Sequence, residues 1–272
     1  MPEPLADVTT EVSCHVALDI SSSIDLAFQV AVAAQYPLAS ESLQVVLDGR
    51  GLDDVDELTG EAGGRTHILS AGPGRLELTY RAEVCAGRPA AAATAGELLV
   101  ATRPSRYAES DRLIGVAATE FSGLRGVKLA ETVRDWVHGR LAYVTGTSRP
   151  TDGAVETLLA GAGVCRDYAH LVVALLRALD VPARVASVYA PGLFPMDFHA
   201  VAEAWVEGRW VLLDATGLAP RTHMVRIATG RDAADTAWLT SARGQMQLES
   251  IDVGVVAVPW MSAETPGVVE LP

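Results

Sequence analysis

The chain has 272 residues, 49% of them apolar, and a formal net charge of -13 at pH 7. That length suits one large or two ordinary domains with a sizeable core. The charge repels phosphate backbones and anionic lipid headgroups, so neither nucleic acid nor a membrane surface is an expected partner.

From about Val12 to Ala86 apolar and polar residues alternate in short runs: CHVALDIS, IDLAFQVAV, LQVVLDG, THILSA and RLELTYRAEV. Turn residues such as Gly49, Gly60 and Pro73 separate them. A period of two with one apolar face predicts β-strands, and their number predicts an antiparallel sandwich or sheet. Residues 86–96, AGRPAAAATAG, are small and weakly patterned, and Arg103, Pro104 and Ser105 follow. A boundary is expected between about 88 and 108, giving an N-terminal β domain over 1–100 and a second domain over 101–272.

Beyond it the period becomes helical. Asp111 is placed to cap a helix ending near Phe121, and Leu129, Val133, Trp136 and Val137 mark another over 127–141. A third runs over about 152–160 and stops at Gly161. The long one, from Cys165 to about Asp180, is closed by Pro182, which cannot continue a helix. Strands are predicted at about 183–190, 199–207 and 209–215, then an irregular stretch and a late strand pair at 246–258 that closes the sheet. Residues MPEPLADVTTEVSCHV show no basic segment followed by an apolar one, and no apolar run reaches the roughly 18 to 20 residues that cross a bilayer. Cys14, Cys85 and Cys165 are too few and too widely spaced for a disulfide framework or a clustered zinc site. A cytoplasmic protein without cofactor or metal is expected.

Cys165 opens its helix directly after Gly161 and Gly163. A free thiol, with a pKa of about 8.5, is mostly protonated at pH 7; a sulfur beside the unpaired N–H groups and positive dipole end of a helix is held as thiolate. On the helical period Cys165 shares a face with Ala169, Val172, Leu176 and Leu179, which turns the sulfur toward the core. A two-residue turn at Glu207 and Gly208 would set Trp205 opposite Trp210 and Val201 opposite Asp214. His199 is then the diagonal neighbour of Asp214, within reach of a hydrogen bond that fixes one ring nitrogen and leaves the other for the thiol proton. Taken singly, the three residues read as a small buried cysteine, a satisfied histidine and a strand-end aspartate. Together they could also form a Cys, His and Asp zinc site.

The segments GVCRDYAHL (Gly163–Leu171), LLRALDVPARV (Leu175–Val185), FHAVAEAW (Phe198–Trp205) and GRWVLLDAT (Gly208–Thr216) resemble the transglutaminase-like superfamily. These are papain-like cysteine enzymes that include transglutaminases and bacterial cysteine proteases. RPSRYAESD (Arg103–Asp111) is also similar to bacterial members. The resemblance implies an α+β fold with a papain-like domain, helices packed on an antiparallel sheet, preceded by a β-sandwich-like domain. It implies Cys165 as nucleophile, His199 as general base and acid, and Asp214 as the residue orienting the histidine. The implied reaction is acyl transfer on peptide or glutamine amides of a peptide or protein substrate through a thioester. Hydrolysis by a protease or amidase is expected; the alternatives are a protein-glutamine transglutaminase and a non-catalytic peptide-binding module. Two positions depart from the family pattern: Ala215 stands where Asp-Pro-Thr is frequent, and Ala200 follows the histidine where Trp is frequent.

Overall fold

A computed structural model describes residues 9–85, 87, 92–258 and 267–272. Part of the weakly patterned 86–96 segment and most of the first ten residues therefore lie outside the described residues. The alternating runs form β1 (Thr9–Ile20), β2 (Ile24–Phe28), β3 (Leu38–Leu47), β4 (Arg50–Gly51), β5 (Asp56–Thr59), β6 (Arg65–Ala71) and β7 (Gly74–Val84). Every second residue points inward. Val12, Cys14, Val16, Leu18 and Ile20 of β1 meet Ile24, Leu26 and Phe28 of β2 and Leu76, Leu78 and Tyr80 of β7 in one core between two sheets.

In chain order there follow α1 (Ala95–Val100), α2 (Ile114–Glu120), α3 (Gly126–Arg140), β8 (Ala142–Tyr143), α4 (Ala154–Ala160), β9 (Ala162–Gly163), α5 (Cys165–Arg177), β10 (Ala183–Tyr189), β11 (His199–Val206), β12 (Arg209–Leu213), β13 (Val225–Gly230), β14 (Leu239–Ala242) and β15 (Met246–Val258). The sheets run β15-β1-β7-β3-β4 and β14-β2-β6-β5 in the sandwich and β12-β11-β10-β13 under the helices; a parallel pair joins β8 to β9. Against expectation, 246–258 is one strand, and it does not close the sheet of His199. It pairs with β1 from Thr9 opposite Val258 to Ile20 opposite Met246, while β14 pairs with β2. An edge strand as long as β1 needs a partner, and the buried Val255 and Ala257 complete the sandwich core. Residues 239–258 thus share sheets with the first hundred.

Asp111 lies inside a short turn, Ser110–Arg112, and Leu113 holds the cap position of α2, so Asp111 is no cap. The real capping box is at α1: the Glu97 amide donates to Thr94 Oγ1 (3.2 Å) and the Thr94 amide to Glu97 Oε2 (2.6 Å). α5 ends at Arg177, short of the expected Asp180. There the Val181 amide turns back to the Leu176 carbonyl (3.0 Å) and Asp180 takes a φ of 60°. Leu171, Val172, Leu175 and Leu176 of α5 lie on Ala202 and Ala204 of β11, small residues that let the helix approach the sheet. Tyr189 and Ile227 join the sandwich core, and the Tyr189 hydroxyl donates to the Val30 carbonyl (2.7 Å). No helix among the described residues is long and apolar enough to cross a membrane.

Candidate active site

The hairpin carrying the histidine and aspartate has the expected register. Glu207 and Gly208 both take positive φ, 53° and 81°, as a two-residue turn matched to strand twist requires. Trp205 pairs with Trp210, their rings edge to face with centroids 5.4 Å apart, and pairing continues to Ala202 opposite Leu213. One step on, Asp214 comes level with Val201. His199 Nε2 lies 3.0 Å from Asp214 Oδ2, both side chains buried. The other aspartate oxygen, Oδ1, accepts from the Thr216 amide (2.8 Å) and the Thr216 hydroxyl (2.7 Å). Burial works to raise the Asp214 pKa, but the bond and charge of His199, joined by the two Thr216 bonds, lower it. Neither the Thr216 bonds nor the His138 Nδ1–H donated to the Ala215 carbonyl (2.9 Å) was read from the sequence. Thr216 was visible there as an Asp-x-Thr turn; His138 gave no signal, because helix α3 meets this loop only in the folded chain.

Cys165 is the first residue of α5. Its approach is clamped on two sides. β8 and β9 hold the preceding residues, with the Ala142 amide on the Gly161 carbonyl (2.9 Å) and the Val144 amide on the Gly163 carbonyl (3.0 Å). The buried Asp167 accepts from the Val164 amide (2.8 Å) and the Ser148 hydroxyl (2.9 Å), and Arg166 Nη2 lies 3.1 Å from it. A Cβ on Gly163 would sit 2.7 Å from Asp167 Cβ. Gly163→Ala is therefore expected to lower stability by about 1–3 kcal/mol, measured by urea unfolding, through forced displacement of this cap; an unchanged midpoint would refute the clamp.

His199 and Cys165 line one cavity. His199 Nδ1 is buried with no hydrogen-bond partner among the described residues, and Cys165 is the neighbour that, with Asp214, acts on the ring. Burial works against a charged imidazole here, yet Asp214 and Cys165 outweigh it and raise the pKa from 6.5 to about 10. Tyr143, opposite Gly163 on the β8–β9 pair, also stands at the sulfur: burial and the neighbouring Cys165 push its phenol up to about 12. It was missed because a two-residue strand has no periodicity to detect. His170 on the same helix is a core residue. Fully buried, it is pushed down to about 4 by desolvation, and its Nε2 accepts the Ala233 amide (3.0 Å). Cys14, Cys85 and Cys165 are free thiols, and among the described residues no group of three or more His, Cys, Asp and Glu side chains is arranged to hold a metal ion.

A helix-borne cysteine facing a strand-borne histidine and aspartate across a helix-on-sheet domain defines a class of cysteine enzyme folds. Residues 118–215, a span that contains all three residues, match the model of the transglutaminase-like superfamily. It is similar over 95% of its length, and over 93% of the other chain, to the crystal structure of "a Putative Cysteine Protease from Cytophaga hutchinsonii", at 29% identity and a TM-score of 0.86. An uncharacterized protein of Mycobacterium leprae is 28% identical over 130 residues, 43% of this chain and 46% of that one. One of Mycobacterium tuberculosis is 35% identical over 155 residues, 48% of each. The chain spans about half the length of these curated relatives. The α+β fold expected from the resemblance is the one observed.

Proposed function

We propose that the protein is a cysteine-dependent hydrolase of peptide or amide bonds, with Cys165 as nucleophile, His199 as general acid and base, and Asp214 orienting the imidazole. One observation carries the reading: the imidazole is tied to Asp214 through Nε2 at 3.0 Å and leaves its buried Nδ1 for the thiol at the start of α5. The cysteine protease likeness over nearly the whole chain supports it. The reactive form carries the proton on His199 and a thiolate at the helix tip. The sulfur attacks the carbonyl carbon and the C=O electrons move to oxygen, which the unpaired N–H groups at the start of α5 can stabilise. His199 gives its proton to the amine nitrogen, the C–N bond breaks, and a thioester remains. Water then loses a proton to His199 and attacks the thioester; the C–S bond breaks, a carboxylic acid leaves, and the ion pair is restored.

The test is mass spectrometry of the protein incubated with peptide libraries, with and without a primary amine. Expected are a mass adduct on Cys165, absent in Cys165→Ser, and cleaved peptides. Amine incorporated in place of cleavage would replace hydrolysis by transamidation. No adduct and no product under either condition would refute acyl chemistry at this sulfur.

A further inference from the structure

The proposed reaction leaves open what kind of chain the site accepts. A cavity of about 570 Å³ opens beside Cys165 and His199, within the size range of ligand sites. Its walls come from both halves of the molecule. Ala200 and Ser187 face it from the central sheet, paired across β10 and β11. Gln29 follows β2, and Leu239 and Thr240 begin β14, the strand paired to β2 in the sandwich. Phe198 and Trp238 line it as near-parallel rings with centroids 6.0 Å apart.

The charge of the lining is decisive. Among the described residues no Asp, Glu or Lys lines the cavity. Its one arginine, Arg166, is already bound to Asp167, to Ser148 Oγ (2.6 Å) and to the Arg149 carbonyl (3.0 Å). Beyond the Cys165–His199 pair, whose charges offset each other, a charged substituent would lose its water there and find no counter-ion. Besides His199 Nδ1, two polar atoms of the lining residues are unspent. Ser187 Oγ and Gln29 Oε1 are buried with no hydrogen-bond partner among the described residues, and the Gln29 carboxamide is held by its Nε2 on Thr66 Oγ1 (3.1 Å). Buried polar atoms are ordinarily paired, so an unpaired acceptor and an unpaired hydroxyl on residues of the lining match the N–H and C=O of an amide.

We propose that this cavity, to which the β-sandwich contributes Gln29, Leu239 and Thr240, binds a neutral peptide segment of the acyl donor. Its apolar side chain lies between Trp238, Phe198 and Ala200, and its backbone amide meets Ser187 and Gln29. The inference rests on the reading of Cys165 as nucleophile, and its test separates the two. Cys165 is alkylated with iodoacetamide and with its N-phenethyl, N-(2-aminoethyl) and N-carboxymethyl derivatives, and rates are read by intact mass. The phenethyl reagent is expected to react at least tenfold faster than either charged one. Within Trp238→Ala, and within Ala200→Trp, which fills the cavity, the ratio of the phenethyl to the plain iodoacetamide rate is expected to fall at least fivefold below that of the native protein. Equal rates for neutral and charged reagents, or ratios unmoved in both variants, would overturn the pocket. The plain iodoacetamide rate, compared between the native protein and His199→Ala, reports on the nucleophile by itself. A slow plain rate with selectivity intact sinks the nucleophile and leaves the pocket; a fast plain rate without selectivity does the reverse.

Discussion

His199→Ala is expected to slow amide turnover by about a thousandfold or more, because it removes both the acceptor of the thiol proton and the donor to the leaving amine. The same variant should alkylate with iodoacetamide at pH 6 at the rate of an ordinary thiol, which is roughly 0.3% thiolate there. The native protein is expected to react about ten to a hundred times faster, the gain being limited because a stabilised thiolate is a weaker nucleophile. A stability signature accompanies the kinetic one. The imidazole, opposed by burial but held by Asp214 and Cys165, is raised from 6.5 to about 10. A raised pKa means the folded state binds the proton more tightly, so this stabilisation is complete below about pH 6.5 and is lost as pH rises through about 10. Thermal unfolding from pH 7 to 10 should show the native protein losing stability more steeply than His199→Ala. Turnover within tenfold of native, or parallel pH curves, would show that His199 is not the proton carrier.

Glu203→Gln should be the most destabilising single change outside the candidate site. The Glu203 carboxylate is fully buried on β11, bidentate to Arg226 of β13 with both contacts at 2.7 Å and 2.8 Å from Arg184 of its neighbour β10. Arg226 is itself completely buried. An amide at this position leaves two guanidinium groups without their counter-charge, a loss of about 3–5 kcal/mol for a buried pair broken from one side. Burial would raise the Glu203 pKa, but the two arginines carry it down to about 2 from 4.5. The depressed value means its stabilisation is present above about pH 4.5 and disappears as pH falls toward about 2. Urea unfolding at pH 7 should show the full difference between native and variant, and the gap should narrow across that acid window. A variant within 1 kcal/mol of native at pH 7, on the order of the experimental error of extrapolation, would show that the cluster contributes little.

Much of the candidate site was legible because its geometry is local. The turn at Glu207 and Gly208 sets the register of β11 on β12 within fifteen residues, and the opposed Trp205 and Trp210 leave one face for the pairing. His199 and Asp214 follow from that register alone. Cys165 was legible because a glycine-rich turn ahead of an apolar helix places its first side chain at the helix tip. The polar supports of these residues were not. Thr216 could be suspected from its spacing, but Tyr143, His138 and Gln29 reach the site from β8, α3 and the end of β2, across separations no local pattern records.

Sequence by itself determined which residues of the strands face inward, where α5 begins and how the His–Asp hairpin is registered, because each depends on backbone periodicity and turn chemistry over a few neighbours. Tertiary structure decided the partners of β13, β14 and β15. The return of 239–258 to β1 and β2 depends on which exposed strand edges remain to be paired once the first sheets have formed, a property of the whole chain. By that return Trp238, Leu239 and Thr240 come to line the cavity beside Cys165.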